Sequence, residues 1–256
     1  MGTGTSCGVP VIGCQCEVCQ SDDPLDKRLR CSILVESDST RLLVDCGPDF
    51  RQQILPYPFR RIDGILVTHA HYDHVGGMDD IRPYCQFGEI NVYADPLACK
   101  GMLQMLPYCF AEKRYPGVPA IGLHEIHAGE PLMLGDIDIL PVEVMHGRLP
   151  ILGYRFGAFA YITDMKSIAD DQAALLNGVE VLVVNALRFD RPHHSHQLVD
   201  DAVDFARRVG ARRTLLTHVC HDVGRHHAAS NRLPEGIELA YDGQMLEIED
   251  VNGDVE

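Results

Sequence analysis

The sequence predicts an α/β fold built as a single domain. Short strand-like segments alternate with helix-like segments, and the run 181–184 is apolar without a break, which is typical of a strand covered on both faces. With 256 residues, 46% of them hydrophobic, the chain is long enough to bury a full core. Because no linker, repeat or low-complexity run divides it, residues 1–256 are predicted to form one domain.

Apolar periodicity and the turn residues between apolar segments place the individual elements. Strands are predicted at 32–36, 41–45, 65–67, 90–93, 132–134, 137–144, 154–156, 159–162, 178–184 and 212–216, with a terminal hairpin at 238–241 and 245–248. Helices are predicted at 50–55, from 79 onward, at 96–106 and at 198–209. The segment 107–119, which holds three prolines, is predicted to be a loop near the functional site.

Charge and the N-terminal sequence narrow the class of function. The 37 acidic residues outnumber the 22 basic ones, and an acidic surface repels long polyanions, so a nucleic-acid substrate is not expected. A local cationic metal pocket can still bind one small phosphate ester. The sequence has neither the run of ~18 apolar residues that a membrane span needs nor a leader-like segment at Met1. We therefore expect a cytoplasmic protein whose cysteines are reduced.

Residues 62–77 contain the strongest chemical signal. The apolar run 65–67 predicts a strand, and four candidate ligands follow it within six residues: His69, His71, Asp73 and His74. Imidazole and carboxylate groups are the ligands that a borderline divalent metal accepts. The i, i+2 spacing puts the first two histidines on one side of an extended chain, whereas the other two ligands lie on the following turn. Two adjacent metals are therefore predicted rather than one.

The pattern His-x-His-x-Asp-His after a strand resembles the signature of the metallo-β-lactamase superfamily. The resemblance implies a four-layer αβ/βα sandwich with a dinuclear metal site at one edge. It also implies three more ligands at strand ends, which the chain offers in the expected order as His146, Asp164 and His218. By resemblance, one metal is held by His69, His71 and His146, the other by Asp73, His74 and His218, and Asp164 bridges them. These ligands suit zinc and manganese alike.

Two positions near this motif leave alternatives open. Asp45, at a strand end, is either a partner that orients a ligating imidazole or an ordinary turn aspartate. The loop 2–5 consists of small residues, and in the superfamily such a loop follows a first strand. Either the fold does without that strand or the true start of the chain lies upstream of Met1.

The N-terminal loop, about residues 7–31, contains a second candidate metal site. Cys14, Cys16 and Cys19 form a Cys-x-Cys-x-x-Cys pattern that can clamp a tetrahedral zinc, although free surface thiols and a redox cluster are alternatives. His221, three residues after His218, offers a fourth ligand. Together these residues resemble the phosphoribosyl 1,2-cyclic phosphate phosphodiesterase family, which implies that this third metal is a structural zinc and that the protein is a homodimer.

The run 193–196 offers a general acid. By resemblance to this family and to tRNase Z, His196 is the residue that would protonate the leaving alkoxide, which suits an imidazole. His194 is the competing candidate, and His193 is expected to be a solvated loop residue. A histidine that merely caps or covers this loop is the alternative to both roles.

Hydrolysis of a small, cyclic phosphodiester such as 5-phosphoribosyl 1,2-cyclic phosphate is the function that the sequence favours. The resemblance implies that a hydroxide bridging the two metals attacks the phosphorus, with Asp73 and His196 as the catalytic residues. A tRNA 3′-processing nuclease is an alternative, but it normally needs a basic RNA-binding arm. A glyoxalase II-like thioester or lactone hydrolase normally adds a helical domain, and here only about forty residues follow His218. A non-catalytic metal-storage protein would not explain a positioned general acid.

Overall fold

Two facing β-sheets form the centre of the molecule. The structure is a computed structural model that describes residues 1–113 and 115–248. One sheet has the order β1-β2-β3-β4-β5 and the other has the order β12-β11-β10-β9-β8-β7-β6. The strands are β1 (Ile33–Glu36), β2 (Arg41–Val44), β3 (Gly64–Leu66), β4 (Ile90–Ala94), β5 (Ile121–Glu125), β6 (Leu132–Leu134), β7 (Ile137–His146), β8 (Leu149–Phe156), β9 (Phe159–Ile162), β10 (Val181–Asn185), β11 (Arg213–Thr217) and β12 (Ile237–Leu239).

Helices cover the outer face of each sheet. The α-helices are α1 (Phe50–Ile54), α2 (Tyr72–Val75), α3 (Pro96–Met105), α4 (Asp170–Ala174), α5 (Val199–Val209) and α6 (His226–Ser230). Segments of 3₁₀ helix lie at Pro24–Asp26, Met78–Phe87, Pro107–Cys109 and His221–Val223. Within the described residues, no helix is long and apolar enough to cross a membrane.

The side chains of β2 point alternately to the two faces of its sheet, and this shows how the layers form. Leu42 and Val44 point between the sheets, where they meet Tyr154 of the other sheet, because successive side chains of a strand face opposite sides. Leu43 points outward and belongs to the core formed with the helices of the first sheet. A third core joins the second sheet to α5, around residues such as Phe205. The predicted four-layer αβ/βα sandwich is confirmed.

The strand ends at one edge of the sheets are where the backbone turns most sharply. Asp45, Asp164 and His218 follow β2, β9 and β11, and each has a positive φ, of 61°, 56° and 54°. Non-glycine residues rarely adopt this left-handed conformation, and such residues cluster at functional sites. The turns bring chemically active side chains from both sheets to the same edge.

Three predictions about elements were wrong or incomplete. The terminal hairpin does not form: β12 pairs in parallel with β11, and residues 245–248 contain no strand. The carboxylate of Asp242 instead accepts hydrogen bonds from the backbone N–H groups of Thr3 and Leu29, which ties this turn to the N-terminal part of the chain.

Two elements were missed. β5 was missed because its sequence, Ile-Gly-Leu-His-Glu, has weak strand character, and α4 was missed because five residues are too few for a periodic signal.

Candidate metal centre

The loop after β3 carries four of the predicted ligands into one small space. His69 follows the strand, His71 precedes the first turn of α2, and Asp73 and His74 lie within that turn. The loop packs against the end of β2 at Gly47, where an added Cβ would collide with the carbonyl oxygen of Asp73. Only glycine allows this approach.

The structure brings all seven predicted ligands of the dinuclear site together. Ligand atoms within 4.8 Å of one another form overlapping sets: His69, His71 and His146; Asp73, His74 and His218; His69, His74 and Asp164; and His146, Asp164 and His196. The carboxylate of Asp164 lies between the others. One of its oxygens is 3.2 Å from Nε2 of His74, and the other is 3.2 Å from Nε2 of His218.

The chemistry of this donor set fits divalent metals. Nε2 of His74 and both ring nitrogens of His218 are buried and have no hydrogen-bond partner among the described residues. Unpaired buried polar atoms are costly, and several of them facing two carboxylates are typical of a site that binds cations. Imidazole nitrogens and carboxylate oxygens are also ligands that zinc and manganese accept.

Hydrogen bonds on the far side of three rings fix their orientation. Nδ1 of His74 lies 2.6 Å from Oδ2 of Asp45, and Oγ1 of Thr68 lies 3.0 Å from Nδ1 of His69. Nδ1 of His146 lies 2.8 Å from the carbonyl oxygen of Asp164. Asp45 is therefore a partner of a candidate ligand and not only a turn residue. Thr68, which sequence analysis missed, follows the strand immediately before the first histidine, and that position was its only signal.

The buried carboxylates and histidines of the site shift one another's pKa in opposite directions. Burial alone would raise the pKa of Asp164, but His218 and His74 outweigh it and hold the pKa of this carboxyl well below its usual value. Burial alone would lower the pKa of His74, but Asp164 and Asp45 raise it well above its usual value. The histidines around Asp164 thus stabilise its charged form, as a metal cation bound at the same place would.

The cysteine cluster also assembles around one point. Nδ1 of His221 lies 3.3 Å from Sγ of Cys14, 3.3 Å from Sγ of Cys16 and 3.6 Å from Sγ of Cys19. A hydrogen bond from the backbone N–H of Cys19 is the main cause that lowers the pKa of Cys16 to about 6. Three thiols and one imidazole at these distances fit a tetrahedral zinc and not three scattered surface cysteines.

A single turn joins the two candidate metal sites. His218 leaves β11 toward the dinuclear set, and His221 reaches the cysteines. Between them, Val219 exchanges backbone hydrogen bonds with the loop 2–5, from Thr5 N to Val219 O and from Val219 N to Thr3 O, each of 3.2 Å. The loop 2–5 therefore supports the turn that positions His218.

The three histidines of the run 193–196 occupy different environments. His196 is buried, with its ring centroid 4.8 Å from that of His146 and its Nδ1 3.7 Å from Oδ1 of Asp164. Burial, with a smaller effect of His218, lowers the pKa of His196 to about 3. His194 is exposed. The expectation for His193 was wrong, since its ring is half-buried and lies 4.9 Å from that of His196.

A cleft among the described residues lies away from the candidate ligands. It has a volume of about 630 Å³, and residues of β1 such as Ile33 line it together with residues of the other sheet such as Phe159. None of the candidate ligands lines it. The metal centre is therefore identified by its ligands and not by the size of a cavity.

Comparison with known proteins gives one family match over most of the chain. A model of the β-lactamase superfamily domain matches residues 40–219. An octanoyltransferase from Porphyromonas gingivalis is 42% identical over 244 residues, which are 95% of this chain and 50% of that protein. A ribonuclease Z from Bradyrhizobium sp. is 30% identical over 139 residues, or 52% of this chain and 46% of that protein. The chain thus spans about half the length of these curated relatives.

Among solved structures, the crystal structure of a diphosphatase from the PhnP family is similar to nearly the whole chain. The TM-score is 0.88 with 39% sequence identity, and the similarity covers 95% of this chain and 93% of that chain. The similarity therefore extends over nearly the whole fold of both proteins.

Proposed function

Because the chain belongs to the β-lactamase superfamily, we propose that it is a metal-dependent hydrolase of small phosphodiesters. The main support is the arrangement of seven buried nitrogen and oxygen ligands in two neighbouring sets that share Asp164. Such an arrangement suits the hydrolysis of a phosphoryl group by two adjacent metals. The similarity to a diphosphatase with 39% identity favours phosphate chemistry within this superfamily.

In this proposal the ligand sets serve two metals. His69, His71 and His146 would hold one metal, Asp73, His74 and His218 would hold the other, and Asp164 would reach both. When bound, two such metals lower the pKa of a shared water and polarise the oxygens of the phosphoryl group. The protein's own contribution is to fix the ligands, through Asp45 and Thr68, before the substrate arrives.

His196 is the residue best placed to protonate the leaving oxygen. It is buried at the edge of the ligand set, between the rings of His146 and His218. Although burial lowers its pKa, the negative charge of a bound phosphate group would favour the protonated imidazole. His194, exposed and in ring contact with His193, has no comparable approach to the metal centre.

A small substrate fits the charge of the protein better than RNA. The net charge of −15 opposes the approach of a polyanion, and the similarity to ribonuclease Z covers only 52% of this chain. We propose 5-phosphoribosyl 1,2-cyclic phosphate, or a closely related cyclic phosphodiester, as the substrate. The cysteine cluster with His221 supports this choice, because this combination of residues resembles the one in the cyclic phosphodiesterase family.

A diphosphate bond is the second candidate for the scissile group. It is favoured by the similarity to a protein described as a diphosphatase. Cleavage of a diphosphate and of a phosphodiester use the same attack at phosphorus and the same stabilisation of charge. The geometry of the metal centre is compatible with both.

Octanoyl transfer has less support. That name belongs to a protein of which this chain covers 50%, so the named activity can reside in the part outside the match. Acyl transfer through a covalent intermediate needs a nucleophilic side chain. Among the described residues, the ligand sets of the dinuclear site contain histidines and aspartates and no cysteine.

A substrate panel tests the proposal. Protein loaded with zinc or manganese is assayed with 5-phosphoribosyl 1,2-cyclic phosphate, ADP-ribose, a glutathione thioester and a precursor tRNA, and the variant Asp164→Asn is the control for contaminating hydrolases. We expect the highest kcat/KM on the cyclic phosphodiester and its loss in the variant. A higher value on the thioester or on the tRNA would overturn the proposal, and a higher value on ADP-ribose would establish the second candidate.

A further inference from the structure

Lys166 is a half-buried cation next to the metal centre that has no carboxylate partner. Its Nζ donates a hydrogen bond of 3.2 Å to the carbonyl oxygen of His196. Among residues 1–113 and 115–248 it forms no ion pair, whereas the nearby Arg188 and Arg191 both pair with Asp222. The charges of those two arginines are therefore paired with a carboxylate, whereas the charge of Lys166 is not.

The backbone holds Lys166 firmly at the rim of the site. Its N–H donates to the carbonyl oxygen of Met145 at 2.7 Å, and the N–H of Met145 donates to the carbonyl oxygen of Ser167 at 2.8 Å. Lys166 is thus fixed beside the residue that precedes His146 and stands two positions after Asp164. Its ammonium group is bonded to the backbone of His196, whose ring lies beside the rings of His146 and His218.

The ammonium group has unused hydrogen-bonding capacity. It carries three donors, and the His196 carbonyl accepts one of them. Two donors remain, in a protein whose net charge is −15. One neighbouring group adds positive charge, since Arg148 is exposed on the turn after His146. This side of the rim favours an anion over any other ligand.

We propose that Lys166 binds a second phosphate group of the substrate, one that is not hydrolysed. This assignment rests on the proposed phosphodiesterase function and narrows it to substrates that carry two phosphate groups. Simple cyclic nucleotides with a single phosphate are then poor substrates. A phosphate is the anion that matches the site, because an ammonium group binds it as a point charge with free donors.

The competing role for Lys166 is structural, since its bond to the carbonyl of His196 also holds that loop. The two roles differ in what they affect. Loss of a phosphate contact weakens the binding of doubly phosphorylated ligands alone, whereas loss of a loop contact displaces His196 and slows every substrate alike.

Calorimetric titration of the metal-loaded protein separates these roles without relying on turnover. The probes are ribose 1,5-bisphosphate and ribose 1-phosphate, which differ by one phosphate group. The variants are Lys166→Met, Lys166→Arg and, as a matched control, Lys100→Met on the exposed face of α3. Metal content is measured for each protein, so that a lost metal is not mistaken for a lost phosphate contact.

We expect the wild-type protein to bind the bisphosphate about tenfold more tightly, which is the size of one charge-assisted hydrogen bond. Lys166→Met should remove that preference, Lys166→Arg should retain most of it, and Lys100→Met should match the wild type. The proposal is overturned if the wild type shows no preference or if Lys166→Met keeps it. Failure of the phosphodiesterase function appears separately, as metal-loaded wild-type protein that hydrolyses none of the phosphodiesters of the panel.

Discussion

Asp45 shows how one buried carboxylate organises the metal centre. It accepts hydrogen bonds from the backbone N–H and the hydroxyl of Thr68, and its other oxygen faces Nδ1 of His74 at 2.6 Å. Thr68 in turn contacts His69. A single side chain thus fixes ligands that belong to both predicted metals. Its left-handed backbone, at φ 61°, is the local strain that allows this orientation.

Replacing Asp45 by Asn should therefore weaken metal binding more than it weakens the fold. Loss of a carboxylate behind a ligating histidine typically costs about 10–100-fold in metal affinity. Competition with a fluorescent chelator measures the affinity, and Asp138→Asn, at an exposed position of β7, is the matched control. Wild-type metal affinity in Asp45→Asn would show that the carboxylate does not orient His74.

His196 and His194 make a second test at this scale. If His196 protonates the leaving oxygen, His196→Gln should lower kcat by about 10²–10⁴-fold on alkyl phosphodiesters. The loss should be much smaller with p-nitrophenyl esters, whose leaving group needs no proton. His194→Gln, at an exposed position, should change kcat by less than about threefold. Equal losses on both classes of ester would instead indicate that His196 binds metal or supports the site.

At the scale of elements, strand ends could be predicted and strand partners could not. The ends of β3, β7, β9 and β11 were visible in the sequence, because each is an apolar run that stops at a histidine or at Thr-Asp or Thr-His. β5 pairs with β4, and β12 pairs with β11 instead of forming the predicted terminal hairpin. Both pairings join separate segments of the chain, which no local pattern reports. The same limit applied to Lys166, whose contact with the His196 loop exists only in the folded chain.

The cysteine loop is the element whose chemistry depends most clearly on pH. The backbone N–H of Cys19 lowers the pKa of Cys16 to about 6, and burial raises the pKa of Cys19 to about 11. In zinc-free protein at pH 7.5, Cys16 is then a thiolate and Cys19 is a thiol. Iodoacetamide should therefore alkylate Cys16 first, at a rate that rises as the pH passes about 6 and then levels off.

Peptide mass spectrometry of the alkylated protein gives the order of reaction. Zinc-loaded protein is the control, and both cysteines should be protected there if they are ligands. Faster alkylation of Cys19 than of Cys16, or no protection by zinc, would contradict the assignment of the cluster as a metal site.

The end of α5 gives a test of stability that leaves the chemistry untouched. Gly210 ends this helix in a left-handed conformation, with φ 79° and open space around an added Cβ. Gly210→Ala should therefore lower the free energy of unfolding by about 1 kcal/mol through backbone strain alone. Urea unfolding measures the change. An unchanged free energy of unfolding in Gly210→Ala, or a change in its kcat, would contradict this prediction.

For the molecule as a whole, the sequence was most informative where the chemistry is local. The His-x-His-x-Asp-His motif and three later strand ends predicted a ligand set that the fold brings together from both sheets. The sequence was least informative about the surroundings of the candidate ligands, such as the half-buried position of His193 beside His196. Those surroundings arise from packing between elements far apart in the chain, which no local sequence pattern reports.

Phosphodiester hydrolysis should depend on metal at the Asp164-centred site. The most direct measurement is hydrolysis of bis(p-nitrophenyl) phosphate by chelator-treated protein during titration with manganese or zinc, with bound metal counted by mass spectrometry. We predict that chelation abolishes hydrolysis and that activity returns to a plateau as two metal ions bind in addition to the one held by the cysteines. Hydrolysis that survives complete removal of metal, or that fails to return when both sites are filled, would contradict the claim.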